Sequence, residues 1–91
     1  MEVRRADRRA QRRSRAEEEF GSDADAVLDL LELTELAWHD CFWDTSPPQD
    51  VIDDLFLVAD GQLPELIRAA RLAVTDYRDL RIAADLIRAS R

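Results

Sequence analysis

Lysine is absent from this 91-residue chain, cysteine and histidine occur once each, glycine twice and proline three times. A lone Cys41 cannot close an internal disulfide, so nothing points to an oxidising compartment and cytoplasm is the expected location. Aromatic and β-branched residues are too few and too scattered to build strands, whereas abundant Ala, Leu, Asp and Arg favour helix. No apolar run approaches the roughly 18 residues of a membrane span, and the arginine-rich start is not followed by the apolar core of a signal peptide. No glycine-rich phosphate loop, paired-cysteine motif or serine nucleophile elbow is present. A chain this short makes one domain that hides only about 60% of its unfolded surface, so an enclosed catalytic cleft is not expected. The expectation is a protein that is not an enzyme and holds no cofactor.

What is present is segregated charge. The net charge of −7 divides into a basic start, an acidic middle and a basic end. Residues 1–16 carry seven arginines against Glu2 and Asp7, residues 17–65 carry fifteen acids and no base, and residues 66–91 carry six arginines against three aspartates. All thirteen cations are arginine. Because lysine is missing from ordinary surface positions too, this is a chain-wide bias and carries no functional weight.

Along the chain, Arg4, Arg5, Arg8, Arg9, Arg12 and Arg13 fall in pairs every four residues, with Arg15 beyond them. Only Val3 and a few alanines keep them apolar company, so residues 1–21 are expected to form a mobile arm or frayed helix. Residues 22–91 form the helical domain. Ser22, followed by Asp23 and Asp25, resembles a helix cap with acids in the first turn, and starts a helix over about 23–43. Its apolar face would hold Ala26, Val27, Leu30, Leu31, Leu33, Ala37, Trp38 and Cys41, which makes Cys41 a buried thiol. Asp25, Asp29, Glu32, Glu35, His39 and Asp40 would face water. Ser46, Pro47, Pro48 and Gln49 suit a capping box that starts a second helix over 47–59, ending at Asp60-Gly61.

The third helix is expected over 64–89. In it Leu63, Leu66, Ala70, Ala73, Tyr77, Leu80, Ala84 and Ile87 recur at spacings of three and four, a seam for the shorter helices to pack on. Thr75 and Asp76 could cap a separate last helix, but the apolar phase does not slip there, so one continuous helix is expected. The small Ala70 and Ala73 leave room for Trp38. The fold class is therefore all-α: a small three-helix bundle with a long C-terminal helix and a basic N-terminal arm.

Three constellations bear on function. Glu32, Glu35 and His39 share a strip of helix, as metal ligands would, yet a second histidine is lacking and a solvated acidic face is the expected reading, with no metal. Trp38, Phe42 and Trp43 cluster beside Pro47 and Pro48, where rings are expected to close one end of the bundle, with Trp43 the more reachable tryptophan. Leu72, Ile82 and Leu86 lie off the seam and, with Trp43, are the expected protein interface. The leading expectation is a helical protein–protein interaction module that self-associates as a homo-oligomer or binds another protein. The alternative is nucleic-acid binding through Arg4, Arg5, Arg8, Arg9, Arg12, Arg13 and Arg15, without membrane attachment.

Overall fold

Apolar side chains every three or four residues give each segment one face to bury. The computed structural model, which describes residues 4–91, resolves that pattern into four α-helices, with no strand among the described residues. Helix α1 spans Arg5–Phe20, a single 3-10 turn covers Gly21–Asp23, α2 spans Ala24–Phe42, α3 Gln49–Ala59 and α4 Leu63–Ala89. The expected all-α bundle is present, its three domain helices being α2, α3 and α4. No helix among the described residues is long and apolar enough to cross a membrane.

The arm supplies the additional helix; its residues 1–3 lie outside the described residues. Ala16 and Phe20, one turn apart, are buried in the core, and Phe20 meets the Phe56 ring edge-on at 5.9 Å. That pair is the apolar anchor the arginine-rich pattern obscures. With it docked, the arginines of α1 lie along the acidic side of α2.

Helix α2 is turned from its expected setting. Its buried residues are Ala24, Val27, Leu28, Leu31, Thr34, Glu35 and Trp38, a stripe displaced by roughly 80° at 100° per residue from the one projected above. Leu33 is therefore exposed, and so is Cys41, which corrects the expectation of a buried thiol. The cause is that α2 must serve two neighbours: α4 takes its apolar side, and α1 requires a carboxylate facing inward. The Ser22 cap does not form; the 3-10 turn connects α1 to α2 through Gly21 at φ 56°.

The proline capping box is also absent. Helix α3 begins at Gln49 after Pro48, and Ser46 Oγ accepts from Arg12 Nη2 at 3.2 Å instead of capping the helix. At its other end Asp60 and Gly61 both take positive φ, as expected of a left-handed stop, and a Cβ on Gly61 would lie 2.7 Å from the Glu19 carbonyl oxygen. The α3–α4 turn and the end of α1 are thus locked against each other.

The α4 seam buries Leu66, Ala70, Ala73, Leu80 and Ala84, but the helix breaks at Asp76 (φ −157°, ψ 90°). Asp76 Oδ1 accepts the Arg78 N–H at 3.1 Å, a cap for the second segment, while the Thr75 hydroxyl donates back to the Arg71 carbonyl at 2.9 Å. The continuous helix expected from periodicity is corrected: a kink preserves the apolar phase while changing direction, so periodicity alone does not detect it. Helix α3 packs chiefly on α4, and its Phe56, Ile52 and Leu55 form the centre of the core with Leu28, Leu31 and Leu66.

Candidate functional site

The arginine pairs of α1, spaced four apart, place successive guanidinium groups on one side of the helix. Arg8 and Arg12 both reach Glu35, whose side chain is 1% exposed. Arg8 Nε donates to Glu35 Oε2, Arg12 Nη1 donates to the same oxygen at 3.3 Å, and Arg5 Nε lies 4.0 Å from Oε1. Arg9 pairs with Asp29 at 2.9 Å and Glu32 at 3.2 Å, and Arg13 with Asp25 at 3.1 Å. Arg15 bridges Glu19 at 2.9 Å and Asp53 at 2.7 Å, with its guanidinium 4.3 Å from the centre of the Phe56 ring. Arg4 is exposed at the helix start. Six of the seven arginines proposed for phosphate contact thus have carboxylate partners.

These pairs hold the charge states apart. The hydrogen bond to Asp29 raises the Arg9 pKa above its ordinary value. Burial lowers that of Arg12, with nearby Arg8 adding to the effect against the pull of Glu35. For Arg15 burial opposes the charged form, but hydrogen bonds to Asp53 and Glu19 outweigh it and the pKa rises.

A second charged knot joins α3 to the end of α4. Asp54, 1% exposed, accepts from Arg81 Nε and Arg88 Nη2, each at 2.6 Å. Arg81 also reaches Asp50 at 2.7 Å, and the hydrogen bond it donates holds the Asp50 carboxyl below the usual aspartate range. Arg81 and Arg88 are therefore staples to α3.

The strip expected to be a solvated acidic face is corrected at Glu35, which is buried and turns inward to arginines, while Glu32 pairs with Arg9 and the His39 ring stands edge-on to Trp43 at 6.0 Å. Among the described residues no three His, Cys, Asp or Glu side chains stand together as metal ligands would.

The aromatic corner is built by Trp38, Phe42 and Tyr77, with ring centres 4.3 Å apart for Trp38 and Phe42 and 5.7 Å for Phe42 and Tyr77. Beside it opens a cavity of about 580 Å³, walled also by Pro48, Val51 and Ile82, with Asp44, Asp50, Arg78 and Arg81 lining its polar side. Trp43 does not join the rings. It caps α2 in a left-handed conformation (φ 64°) with 82% of its surface exposed, next in sequence to the Phe42 that lines the cavity. No protein-family model, curated protein or solved structure matches this chain.

Of the expected interface residues, Trp43, Ile82 and Leu86 are exposed, while Leu72 is half-buried against the core. Ile82 reaches the cavity wall; Trp43 lies at its edge in sequence. Sequence reasoning missed Tyr77 as a cavity wall, because the seam assigned it to the core; next to the break the residue is 43% exposed. It also missed a shallow apolar groove between α2 and α4, lined by Leu30, Leu33, Ala37, Ile67, Ala70 and Val74. Glu35 left a signal in its spacing: Leu28, Leu31, Glu35 and Trp38 follow steps of three, four and three, placing an acid within an apolar stripe.

Proposed function

We propose that this protein is a non-enzymatic helical interaction module that pairs with a second copy of itself, each copy inserting Trp43 into the aromatic cavity of the other. The observation that carries this reading is the adjacency of a protruding tryptophan, 82% exposed, to a 580 Å³ cavity walled by Trp38, Phe42 and Tyr77. That volume falls within the range of pockets that bury a compact organic ligand, so an indole has room. Tryptophan is also enriched among residues that dominate interface energetics.

A second copy is favoured because both sequence neighbours of Trp43, Phe42 and Asp44, line the cavity, and a two-fold isologous contact needs knob and hole on one patch. Charge supports the same pairing. Asp44 follows Trp43, and Arg78, 81% exposed, lines the cavity; exchange of the indoles would carry each Asp44 toward the partner's Arg78. Ile82, from the expected interface, adds apolar surface at the wall. Nucleic-acid binding through the arginines of α1 has less support, since Arg8 and Arg12 are only 11% and 13% exposed and would have to leave Glu35 to meet a duplex.

Sedimentation velocity across a concentration series tests the pairing. The expected result is a monomer–dimer equilibrium that Trp43→Ala abolishes, that Asp44→Arg or Arg78→Asp weakens, and that the two charge reversals together restore. A strict monomer at millimolar concentration overturns it. So does a dimer indifferent to Trp43→Ala but broken by Leu33→Asp, which would place the contact in the α2–α4 groove.

A further inference from the structure

We propose that the cavity walled by Trp38, Phe42 and Tyr77 also binds a free aromatic amino acid, its ring on the apolar wall and the two charges of the zwitterion on Asp44 and Arg78. This goes beyond the pairing proposed above and does not rest on it. Walls that receive a partner's indole equally receive a free one, and a cavity of about 580 Å³ has room for it. The reachable apolar surface comes from Tyr77, Ile82 and Pro48, all exposed, with Phe42 half-buried beside them. With those walls exposed the cavity is a recess that covers only part of its ligand, which sets the expected affinity low.

The rings decide between a flat ligand and a bare cation. Trp38, Phe42 and Tyr77 pack on one another, with centres 4.3, 5.7 and 5.9 Å apart, so they form one continuous wall. An aromatic cage for an ammonium group needs rings spread around the cation, each face within about 6 Å of it. Rings in mutual contact leave no such space. A planar side chain laid against the wall, offset or edge-on, fits instead.

The charged lining divides into an engaged half and a free half. Asp50 and Arg81 hold each other at 2.7 Å, and Arg81 also holds Asp54 at 2.6 Å, so neither has a place for a ligand. Arg78 is different: its Nε lies 3.8 Å from Asp76 Oδ1, beyond hydrogen-bond distance, and that oxygen already accepts the Arg78 backbone N–H. Asp44 is exposed and, among the described residues, has neither a hydrogen bond nor an ion pair. A free carboxylate and a weakly held guanidinium on one cavity match a ligand that bears both an ammonium and a carboxylate group. An aromatic amine would answer only Asp44, and an aromatic acid only Arg78.

Amide chemical-shift titration of the Trp43→Ala chain at low ionic strength tests the proposal, since there no partner indole competes. Free tryptophan is expected to shift Tyr77, Arg78 and Ile82 and not α1, with a dissociation constant of about 0.1–1 mM. Tryptamine, which lacks the carboxylate, and N-acetyltryptophan, which lacks the ammonium, should each bind about fivefold more weakly. Arg78→Gln in this background should weaken tryptophan about fivefold and leave tryptamine unchanged. Asp44→Asn should weaken tryptophan equally and leave N-acetyltryptophan unchanged. Both positions are exposed, so neither change disturbs the core. A parent chain that stays monomeric yet binds tryptophan in this way removes the pairing and keeps the site. The proposal is overturned if tryptophan at millimolar concentration shifts no cavity residue, if it binds no more tightly than either analogue, or if either charge substitution leaves its binding unchanged.

Discussion

Replacing Glu35 by glutamine removes one charge and almost no volume, so its effect isolates the electrostatics that fasten α1 to α2. Glu35 is 1% exposed, and its partners Arg8 and Arg12 are 11% and 13% exposed. Solvent therefore does little to screen what remains when the carboxylate is neutralised. Breaking a buried ion pair from one side costs about 3–5 kcal/mol, mostly because the surviving charge stays buried without a partner. Here Arg12 loses its carboxylate and keeps the neutral Ser46 Oγ. A domain of this length has a total stability of about 5–14 kcal/mol, so the substitution should remove about a fifth of it or more.

An upper bound comes from the position of α1 at one end of the described fold. Its arginines can escape to water if the helix undocks, at the cost of exposing Phe20 and Ala16; re-exposing a phenylalanine costs about 1.5–3 kcal/mol. The expected outcome of urea unfolding followed by circular dichroism is thus a loss of about 3 kcal/mol. It should be accompanied by faster amide exchange in Arg5–Phe20 than in α3. Asp54→Asn provides the comparison: Asp54 is equally buried, but Arg81 and Arg88 are 40% and 43% exposed, so hydration compensates them and the loss should be smaller. A Glu35→Gln loss below about 1 kcal/mol, with α1 amides still protected, would refute the argument that this carboxylate anchors the helix.

Three further outcomes follow from the geometry. Gly61→Ala places a Cβ 2.7 Å from the Glu19 carbonyl at φ 75°, and thermal unfolding should show a loss of about 1–3 kcal/mol from strain and displacement of α1. Asp76→Ala removes the acceptor for the Arg78 N–H; a loss of about 1 kcal/mol is expected, with exchange quickening in residues 77–80 and not in α3. In acid, the carboxyls of Asp50, held down mainly by the Arg81 hydrogen bond, and of Asp53, where bonds from Arg15 and Gln49 outweigh burial, have folded pKa values below the ordinary 3.8. Their contribution to stability is complete above that value and lost as pH falls through the lower folded values, so melting temperature should decline below about pH 4; a melting temperature constant from pH 5 to about pH 2 would contradict the pairing.

The residues that were legible in the sequence are those whose environment is set by their own helix. Leu66, Ala70, Ala73, Leu80 and Ala84 lie on one stripe and are buried, because a spacing of three and four commits them to one side whatever packs there. Ile82 and Leu86, off that stripe, are exposed for the same reason. What stayed hidden depended on a second helix. Whether α2 turns Leu33 or Glu35 inward cannot be decided from its own residues, since the apolar count favours Leu33; the decision comes from Arg8 and Arg12, 27 and 23 residues earlier, which need an acceptor as they dock. Ser46 shows the same competition on a smaller scale, its local pattern suiting a cap while its hydroxyl serves Arg12. The docking of α1 therefore rests on arginines that read as an independent arm but act as internal partners. Residues of that kind become legible only when both charges of a pair are sought together, an acid interrupting an apolar stripe and arginines spaced one helical turn apart.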